Sequence, residues 1–492
     1  MGALAHALAC NEILPPLRNA FLLSSNRIMS QTIDPHIFRA YDIRGDVRTQ
    51  LTPDAAYRIG CALTLSHFPP SSTVAVGCDA RTHSPSLIRA LIEGLTKGGV
   101  HVVDYGQITT PMLYFALAHV PRTGGIMVTG SHNPIHDNGL KICCGTRSFV
   151  GDDIQRVRAS LDQPLPATEM GTVTQENIFP AYREAIVSRV HLQKSLKLVV
   201  DAGNGVAGPF ILPILKDLGC EVVPLFCDPD GNFPHHHPDP GEAKNLVDCQ
   251  KQVLAAQADL GLAFDGDGDR LGVVTQTGDI IPADRLLILF ERAILNETPG
   301  ATIIGDVKCS KFTFDDIRKH GGNPVMVKTG HALIKQKLRE TQAAMAGEMS
   351  GHFFFHHRWF GFDDAIYAAA RLLEIAASSP EPLANQLQDL PQSFATPELR
   401  LDCPDAVKFE LTRALVDHYQ KQYPTNTLDG ARVDFPHGWA LMRASNTQPV
   451  LVVRVEADAE QAKIDILKNI ADNISSWMAQ HDLSMDLSAL LL

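Results

Sequence analysis

The sequence Leu-Lys-Leu-Val-Val-Asp-Ala-Gly-Asn-Gly at residues 196–205 decides the fold class of this chain. Its apolar first half predicts a strand, the glycines that follow allow a tight turn, and a helical pattern continues to Leu218. A strand that passes through a Gly-rich loop into a helix is the repeating unit of layered α/β proteins. This stretch therefore predicts an α/β domain.

The same unit occurs on both sides of this stretch. A strand is predicted at residues 73–77 with a helix over 84–98, and another strand at 302–306 is again followed by a helix. The last hundred residues differ, because a strand at 450–455 and a helix over about 460–480 lack a Gly-rich crossover loop. We therefore expect three consecutive α/β domains of shared topology and a smaller C-terminal α+β domain.

Domain boundaries are predicted near 175, 280 and 392, where polar or Pro-containing segments separate the periodic ones. The expected segments are an extension over 1–30, and domains over 31–175, 176–280, 281–391 and 392–492. We expect the extension to be disordered; the alternatives are a targeting peptide or translation that begins at Met29.

The composition of the 492 residues is that of a globular protein, with 45% hydrophobic and 20% charged residues. The net charge of −12 gives no reason to expect binding to nucleic acid or to an anionic membrane. Ten dispersed cysteines without a CxxC pair, and no apolar run of about 18 residues, favour a cytoplasmic protein. We expect a monomer that binds anions through individually placed cations.

The first candidate loop is Thr-Gly-Ser-His-Asn-Pro at residues 129–134. Gly130 allows a sharp turn and Pro134 stiffens the exit, so the Ser131 hydroxyl would project from a rigid rim. This placement suits a nucleophile or a phosphate carrier, and Lys141 follows shortly after it. The alternative is a turn serine that caps its own backbone.

The second loop, Phe-Asp-Gly-Asp-Gly-Asp-Arg at residues 264–270, has carboxylates at alternate positions: Asp265, Asp267 and Asp269. The intervening glycines permit enough curvature for all three to converge on one hard cation. A calcium EF-hand is excluded, because Arg270 and Gln276 stand where that motif needs Gly and Glu. Carboxylates that leave room for a phosphate oxygen and water favour Mg²⁺, and the alternative is a solvated acidic turn.

Two further loops carry groups that suit a sugar phosphate. In Gly-Glu-Met-Ser-Gly-His at 347–352, Glu348 and Ser350 can hydrogen-bond neighbouring sugar hydroxyls. The loop at 443–449 offers a guanidinium, hydroxyls and an amide that can clamp a phosphate. Those groups belong to Arg443, Ser445, Asn446 and Thr447. Each loop, taken alone, is equally compatible with an ordinary polar turn.

Several other residues lie where a strand or loop could present them to the same ligand. Lys308 follows the strand at 302–306, and His331 stands at a helix start, which favours anions. Tyr41 and Arg44 lie in a loop-like segment near the N-terminus. Three consecutive histidines at 235–237 suggest zinc, but no Cys or His at ligand spacing accompanies them.

Taken in order, the four loops resemble the α-D-phosphohexomutase superfamily, and most of all its bacterial phosphomannomutase/phosphoglucomutase branch. The resemblance runs from about Ile33 to the C-terminus. It includes Tyr-Asp-Ile-Arg-Gly at 41–45, Asp-Val-Lys at 306–308 and Arg-Trp-Phe-Gly-Phe-Asp-Asp at 358–364. It implies four domains around a central cleft, each contributing one loop.

The resemblance also implies reversible interconversion of mannose or glucose 1- and 6-phosphates through a phosphoserine at Ser131. Mg²⁺ would be held by the three aspartates and a phosphoserine oxygen, and a hexose 1,6-bisphosphate would be both intermediate and activator. The 443–449 loop would clamp the non-reacting phosphate, while Glu348 and Ser350 would contact the sugar O3 and O4. Charge offset and proton transfer would fall to Arg44, Lys141, Arg270, Lys308, His331 and His352, with Tyr41 close by.

Three alternatives remain open from the sequence. A phosphoglucosamine mutase shares nearly every motif, although that branch more often has Gln where this chain has Met349. A metal-dependent sugar phosphatase also uses clustered aspartates but would release free phosphate. A sugar-phosphate sensor without activity would have no need for Ser131.

Overall fold

The computed structural model describes residues 32–445 and 449–491. The predicted extension over residues 1–30 therefore lies outside the described residues, and so do Asn446 and Thr447 of the predicted phosphate clamp.

The first domain contains the strand and the helix predicted around residues 73–98, and its strands form one sheet. Its strands are β1 (Ile43–Asp46), β2 (Thr73–Cys78), β3 (His101–Gln107), β4 (Gly124–Val128), β5 (Asp137–Cys144), β6 (Arg147–Ser148) and β7 (Val173–Gln175). Its helices are α1 (Pro53–Ser66), α2 (Ser84–Lys97), α3 (Thr110–His119) and α4 (Asp152–Ala159). The strand order is β1-β5-β4-β2-β3-β7, with β6 paired to β5.

The second sheet contains the stretch that decided the fold class. Its strands are β8 (Lys197–Asp201), β9 (Glu221–Leu225), β10 (Leu260–Phe264), β11 (Leu271–Thr275) and β12 (Ile280–Ile281), in the order β12-β11-β10-β8-β9. Its helices are α5 (Phe179–Val187), α6 (Gly208–Asp217) and α7 (Val247–Ala256).

The third sheet is the smallest. Its strands are β13 (Thr302–Asp306), β14 (Asn323–Val327), β15 (Met345–Gly347) and β16 (Phe353–Phe355), in the order β14-β13-β15-β16. Its helices are α8 (Ala283–Glu297), α9 (Lys311–Lys319), α10 (His331–Thr341) and α11 (Ala365–Ser378).

The fourth sheet is antiparallel throughout its described pairs. Its strands are β17 (Phe394–Ala395), β18 (Leu399–Asp402), β19 (Thr425–Asn426), β20 (Ala431–Phe435), β21 (Gly438–Ala444) and β22 (Val450–Ala457). Two helices, α12 (Asp405–Tyr419) and α13 (Glu460–Gln480), pack with it over a core of its own. The prediction of a different, α+β C-terminal domain is confirmed.

The first three sheets share one four-stranded core. In each, the first strand pairs in parallel with the second and third, and the fourth runs antiparallel to the third. These cores are β2–β5, β8–β11 and β13–β16, so the predicted shared topology is confirmed. In all three, the loop between the third and fourth strands carries a predicted motif: 129–136, 265–270 or 348–352. The loop between the third and fourth strands thus carries candidate functional residues in all three domains.

The domain boundaries near 175, 280 and 392 stay predictions.

Two further features bear on the sequence expectations. The nine cysteines among the described residues are all free thiols. Within the same part of the chain, no helix is both long enough and apolar enough to cross a membrane.

A buried carboxyl group lies between α8 and α9. Glu291 is 0% exposed, and among the described residues neither of its carboxyl oxygens has a hydrogen-bond partner. One of these oxygens lies within 4.8 Å of a carboxylate oxygen of Asp316. Burial, and then the Asp316 carboxylate, raises the pKa of Glu291 to about 10. Glu291 is therefore protonated in the folded protein at neutral pH and able to donate to Asp316.

We expect Glu291→Gln to stabilise the protein at alkaline pH. Because the pKa is higher in the folded state, the stability that this proton contributes is present below the unfolded value of 4.5 and lost as pH rises toward about 10. The ideal slope for one such group is about 1.4 kcal/mol per pH unit. The neutral variant lacks this loss, so its Tm should match the wild type near pH 4.5 and exceed it by a few degrees near pH 8.

Thermal unfolding of both proteins across this pH range measures the difference. Glu184→Gln, at an exposed position of α5, is the control and should leave the pH profile unchanged. A Glu291→Gln variant that is less stable than the wild type near pH 8 would contradict the assignment of a protonated Glu291.

Candidate active site

A cavity of about 830 Å³ is lined by residues from all four domains. It collects most of the residues singled out in the sequence. They are Tyr41, Arg44, Ser131, Lys141, Arg270, Lys308, His331, Glu348, Ser350, His352, Arg443 and Ser445. Residues more than 400 positions apart in the chain therefore share one space.

Ser131 stands at the tip of the loop between β4 and β5. It is 2% exposed, and its φ of +48° lies in the left-handed region that non-glycine residues rarely adopt. Its Oγ donates to Asp265 Oδ2 at 2.8 Å and lies 3.1 Å from His132 Nδ1. A Cβ on Gly266 would collide with the Ser131 carbonyl oxygen, so the two loops are in direct contact. The serine and the aspartate loop, which the family resemblance implies share one metal ion, therefore lie in direct contact.

Two buried residues that the sequence did not single out hold this loop. The Arg81 guanidinium donates to the carbonyl oxygens of Ser131, Asn133, Pro134 and Asp137 at 2.6–3.0 Å. The Asp79 carboxylate accepts from Thr129 Oγ1 and the Gly130 N–H, both at 2.9 Å. The only sequence signal was an acidic and a basic residue directly after a strand.

The aspartate loop forms a buried acidic cluster. Asp265, Asp267 and Asp269 are each 0% exposed, and carboxylate oxygens of all three lie within 4.8 Å of one another. Burial, and then the charges of Asp269 and Asp267, raise the pKa of Asp265 well above its ordinary value. Among the described residues, Oδ1 of Asp267 and of Asp269 have no hydrogen-bond partner. Oxygen donors that are buried, clustered and partly unpartnered fit a divalent cation.

Lys141 supplies positive charge to this cluster from β5. Its Nζ lies 2.8 Å from Asp267 Oδ2 and 2.5 Å from Asp269 Oδ2. Burial alone would lower the pKa of Lys141, but the two carboxylates raise it above its ordinary value. Thr110 was not predicted, yet its hydroxyl donates to the same Asp267 oxygen at 2.5 Å. Lys141 is therefore an ammonium ion in this arrangement.

His352 lies between a guanidinium and a carboxylate. Arg270 Nε donates to His352 Nε2 at 3.0 Å, which leaves the ring proton on Nδ1. That nitrogen lies 3.2 Å from Asp363 Oδ2. Burial would raise the pKa of Asp363, but Lys335 at 3.0 Å and His352 lower it well below its ordinary range. Asp363 lies in the stretch that resembles the family, but the sequence assigned it no role.

His331 presents an open ring beside the cavity. It lies 5.3 Å from the ring of Tyr41 and 6.1 Å from that of His352. In the described part of the chain, neither of its ring nitrogens has a hydrogen-bond partner. Burial, and then the charge of Lys335, lower the pKa of His331 well below its ordinary value. The ring is therefore neutral; its Nδ1 lies 3.6 Å from Asp363 Oδ2, and its Nε2 can hydrogen-bond a ligand.

The predicted phosphate-binding cations are paired with carboxylates. Lys308 Nζ lies 3.2 Å from Glu398 Oε2, and Arg443 Nε lies 2.9 Å from Asp429 Oδ2. The charge of Lys308 lowers the pKa of Glu398 to about 2. Neither carboxylate was predicted, because Glu398 lies 90 positions from Lys308 and Asp429 lies 14 positions from Arg443, outside the motif that contains it. An anionic ligand would have to compete with them.

Arg44 and the loop at residues 347–352 also line the cavity. Arg44 donates to Asp42 Oδ2 at 2.5 Å and to Asn133 Oδ1 at 2.7 Å. Glu348 is buried, and its Oε1 accepts from the Gly330 N–H at 2.8 Å. Ser350 is half-buried on the cavity wall.

The three consecutive histidines do not converge. His235 lies 2.7 Å from Asn204 Oδ1, His236 3.0 Å from Asp201 Oδ2, and His237 2.5 Å from the His132 carbonyl oxygen. Because each ring contacts a different partner, the geometry does not support a shared zinc site.

Comparison with known proteins gives matches along most of the chain. Four models described as phosphoglucomutase/phosphomannomutase match: alpha/beta/alpha domain I (35–164), domain II (180–278), domain III (282–394) and the C-terminal domain (398–473). A phosphomannomutase/phosphoglucomutase of Pseudomonas aeruginosa is 48% identical, over 90% of this chain and 96% of its own. A phosphoglucomutase of Neisseria gonorrhoeae is 46% identical, over 89% and 96%.

A solved structure agrees with these relatives. A phosphoglucomutase/phosphomannomutase family protein from Burkholderia thailandensis superposes with a TM-score of 0.86 at 43% identity. The match covers 92% of this chain and 100% of the other.

Proposed function

This chain belongs to the phosphoglucomutase/phosphomannomutase family of phosphohexomutases, and we propose that it transfers the phosphoryl group through Ser131 by way of a hexose 1,6-bisphosphate. Mannose and glucose phosphates are the proposed substrates. The observation that carries the proposal is the 2.8 Å contact between Ser131 Oγ and Asp265, because it joins a rigidly held hydroxyl to a buried acidic cluster. A serine that merely capped a turn would not need a cluster of carboxylates beside it.

Asp265, Asp267 and Asp269 would hold Mg²⁺ together with an oxygen of phosphorylated Ser131. When bound, the ion would offset negative charge on the phosphoryl group. The two unpartnered carboxylate oxygens of the cluster support this assignment.

In the proposed transfer, the bond between phosphorus and Ser131 Oγ breaks while a bond to a free hydroxyl of the hexose phosphate forms. The proton of that hydroxyl leaves, and Ser131 Oγ gains one. Lys141, Arg44 and Arg270 would offset charge on the transferring group, because phosphoryl transfer depends mainly on positioning and charge stabilisation. His352, oriented by Asp363, can carry a proton at Nε2 once Arg270 shifts to the phosphate.

The second phosphate would be bound at the opposite end of the cavity. Lys308, Arg443 and Ser445 all line the cavity, and we propose that Asn446 and Thr447, outside the described residues, extend the clamp. Glu348 and Ser350 would contact sugar hydroxyls, with His331 and Tyr41 beside them. A volume of about 830 Å³ is at the upper end of small-ligand sites, which supports turning of a bisphosphate inside the cavity.

We propose that the enzyme acts as a cytoplasmic monomer, with hexose 1,6-bisphosphate as its activator. Because all four domains of one chain line the cavity, its formation would not require a second subunit, and the free thiols of the described residues suit a reducing compartment.

Intact-mass analysis with peptide mapping tests the proposal. Purified protein incubated with glucose 1,6-bisphosphate and Mg²⁺ should carry one phosphoryl group, mapped to Ser131, and lose it to added glucose 1-phosphate. A protein that never carries phosphate at Ser131, or that releases it only as inorganic phosphate, would refute the proposed function.

A further inference from the structure

We propose that Arg81 and Asp79 are positioning residues that hold Ser131 in its reactive orientation. This inference rests on the proposed function of Ser131 as the phosphoryl carrier. Neither residue lines the cavity within the described part of the chain, so both would act only through the loop that carries the serine.

Every hydrogen bond that the Arg81 guanidinium makes among the described residues goes to the serine loop. Arg81 is 1% exposed, and its two terminal nitrogens donate to four carbonyl oxygens: those of Ser131 at 2.9 Å, Asn133 at 2.6 Å, Pro134 at 2.8 Å and Asp137 at 3.0 Å. The carbonyl of Ser131 itself is among them. A planar guanidinium can satisfy several acceptors in a fixed geometry, which an ammonium cannot do.

Asp79 anchors the backbone on the N-terminal side of Ser131. Its Oδ2 accepts from Thr129 Oγ1 and the Gly130 N–H, and Thr129 Oγ1 in turn accepts from the Ser131 N–H at 2.8 Å. Its Oδ1 accepts from Ser84 Oγ at 2.5 Å and from the Arg81 N–H at 3.0 Å. Both backbone polar groups of Ser131 are therefore anchored, directly or through one hydroxyl, to the end of β2.

The hydrogen bonds from Asp79 and Arg81 maintain the left-handed backbone conformation of Ser131, which the loop would not keep without them. A non-glycine residue in the left-handed region is sterically unfavourable, so surrounding contacts must hold it there. At Gly130 the guanidinium packs on the backbone so closely that a Cβ would collide with it. When the hydrogen bonds from Asp79 and Arg81 are weakened, the loop can relax to a negative φ at Ser131. This change would turn Oγ away from Asp265.

A positioning role predicts a larger effect on turnover than on substrate binding. Misplacement of a reacting atom by about 1 Å can lower the rate about 100-fold. We expect Arg81→Gln and Asp79→Asn to lower kcat by about 100-fold while KM for glucose 1-phosphate changes less than about threefold. Arg81→Lys should recover part of the loss. Single-turnover transfer from phosphorylated Ser131 to glucose 6-phosphate should slow by the same factor as kcat.

The matched control is Arg371→Gln, because Arg371 is another fully buried arginine, in α11, that contacts His357 and Glu374 rather than the serine loop. It should lose thermal stability with kcat nearly unchanged. If Arg81→Gln does not fold, Asp79→Asn and Arg81→Lys, assayed well below their Tm, decide the question.

The possible outcomes separate the two proposals. A wild-type enzyme that never carries phosphate at Ser131 refutes the proposed function. If the wild type is phosphorylated there, but the Asp79 and Arg81 variants keep wild-type kcat or change it no more than Arg371→Gln, the positioning role is refuted.

Discussion

Replacing Ser131 with alanine should lower kcat by about 10⁴-fold or more, the largest loss that we expect from any single substitution in this chain. The variant keeps the cavity and its cations but has no oxygen to carry the phosphoryl group. Substrate affinity should change little, because the clamp and sugar residues are untouched. The variant should also remain unphosphorylated after incubation with glucose 1,6-bisphosphate.

Steady-state kinetics, isothermal titration with glucose 1-phosphate and intact mass measure these three quantities. Ser86→Ala, at an exposed serine in α2 whose hydroxyl donates to the His83 carbonyl oxygen, should behave as wild type in each. Residual turnover within about tenfold of the wild type would show that the phosphoryl group does not pass through Ser131.

Asp265→Asn should strongly lower activity and at the same time stabilise the metal-free protein. The raised pKa of Asp265 means that its ionised form destabilises the fold at neutral pH unless a cation is present. A neutral amide of the same shape removes that cost, so Tm in chelator should rise. Loss of one carboxylate should weaken Mg²⁺ binding, lower kcat by about 10³-fold and abolish the Tm increase that Mg²⁺ gives the wild type.

Kinetics and thermal unfolding with Mg²⁺ or chelator test this pair of opposite effects. Asp279→Asn, at an exposed turn of the same domain, should change neither quantity by more than experimental error. The metal assignment would be contradicted by a wild-type enzyme that keeps full activity after chelator treatment, or by a wild-type Tm that does not change when Mg²⁺ is added.

Many strands and one candidate loop of this protein could be predicted from local sequence patterns. The strands at β2, β8 and β13 were predicted because runs of Val, Ile and Leu before a glycine have a local periodicity that needs no partner. The aspartate loop was predicted for a similar reason, since alternating Asp and Gly can converge only by local curvature. The repeated loop position between third and fourth strands was not foreseen, because strand pairing depends on contacts outside each unit.

The residues that hold the site in place were missed for one physical reason. Arg81 lies 50 positions before Ser131, and Glu398 lies 90 positions after Lys308, so neither pair has a spacing that a local pattern could reveal. Asp363 appeared in the sequence as one of two adjacent aspartates. Only the folded chain distinguishes it from Asp364, which accepts from Tyr182 Oη at 2.8 Å and caps α11.

The sequence by itself determined the fold class and the position and residue types of the four loops, because those depend on residue type and period over a few positions. The family resemblance implied that Ser131 and the aspartates share a metal ion. Only the tertiary structure decided that Ser131 Oγ donates directly to Asp265 across 134 positions, and that Asp79 and Arg81 hold the serine in a left-handed turn. Such contacts arise when the end of β2 meets the loop after β4 and the loop after β10, and that meeting is set by the packing of whole domains.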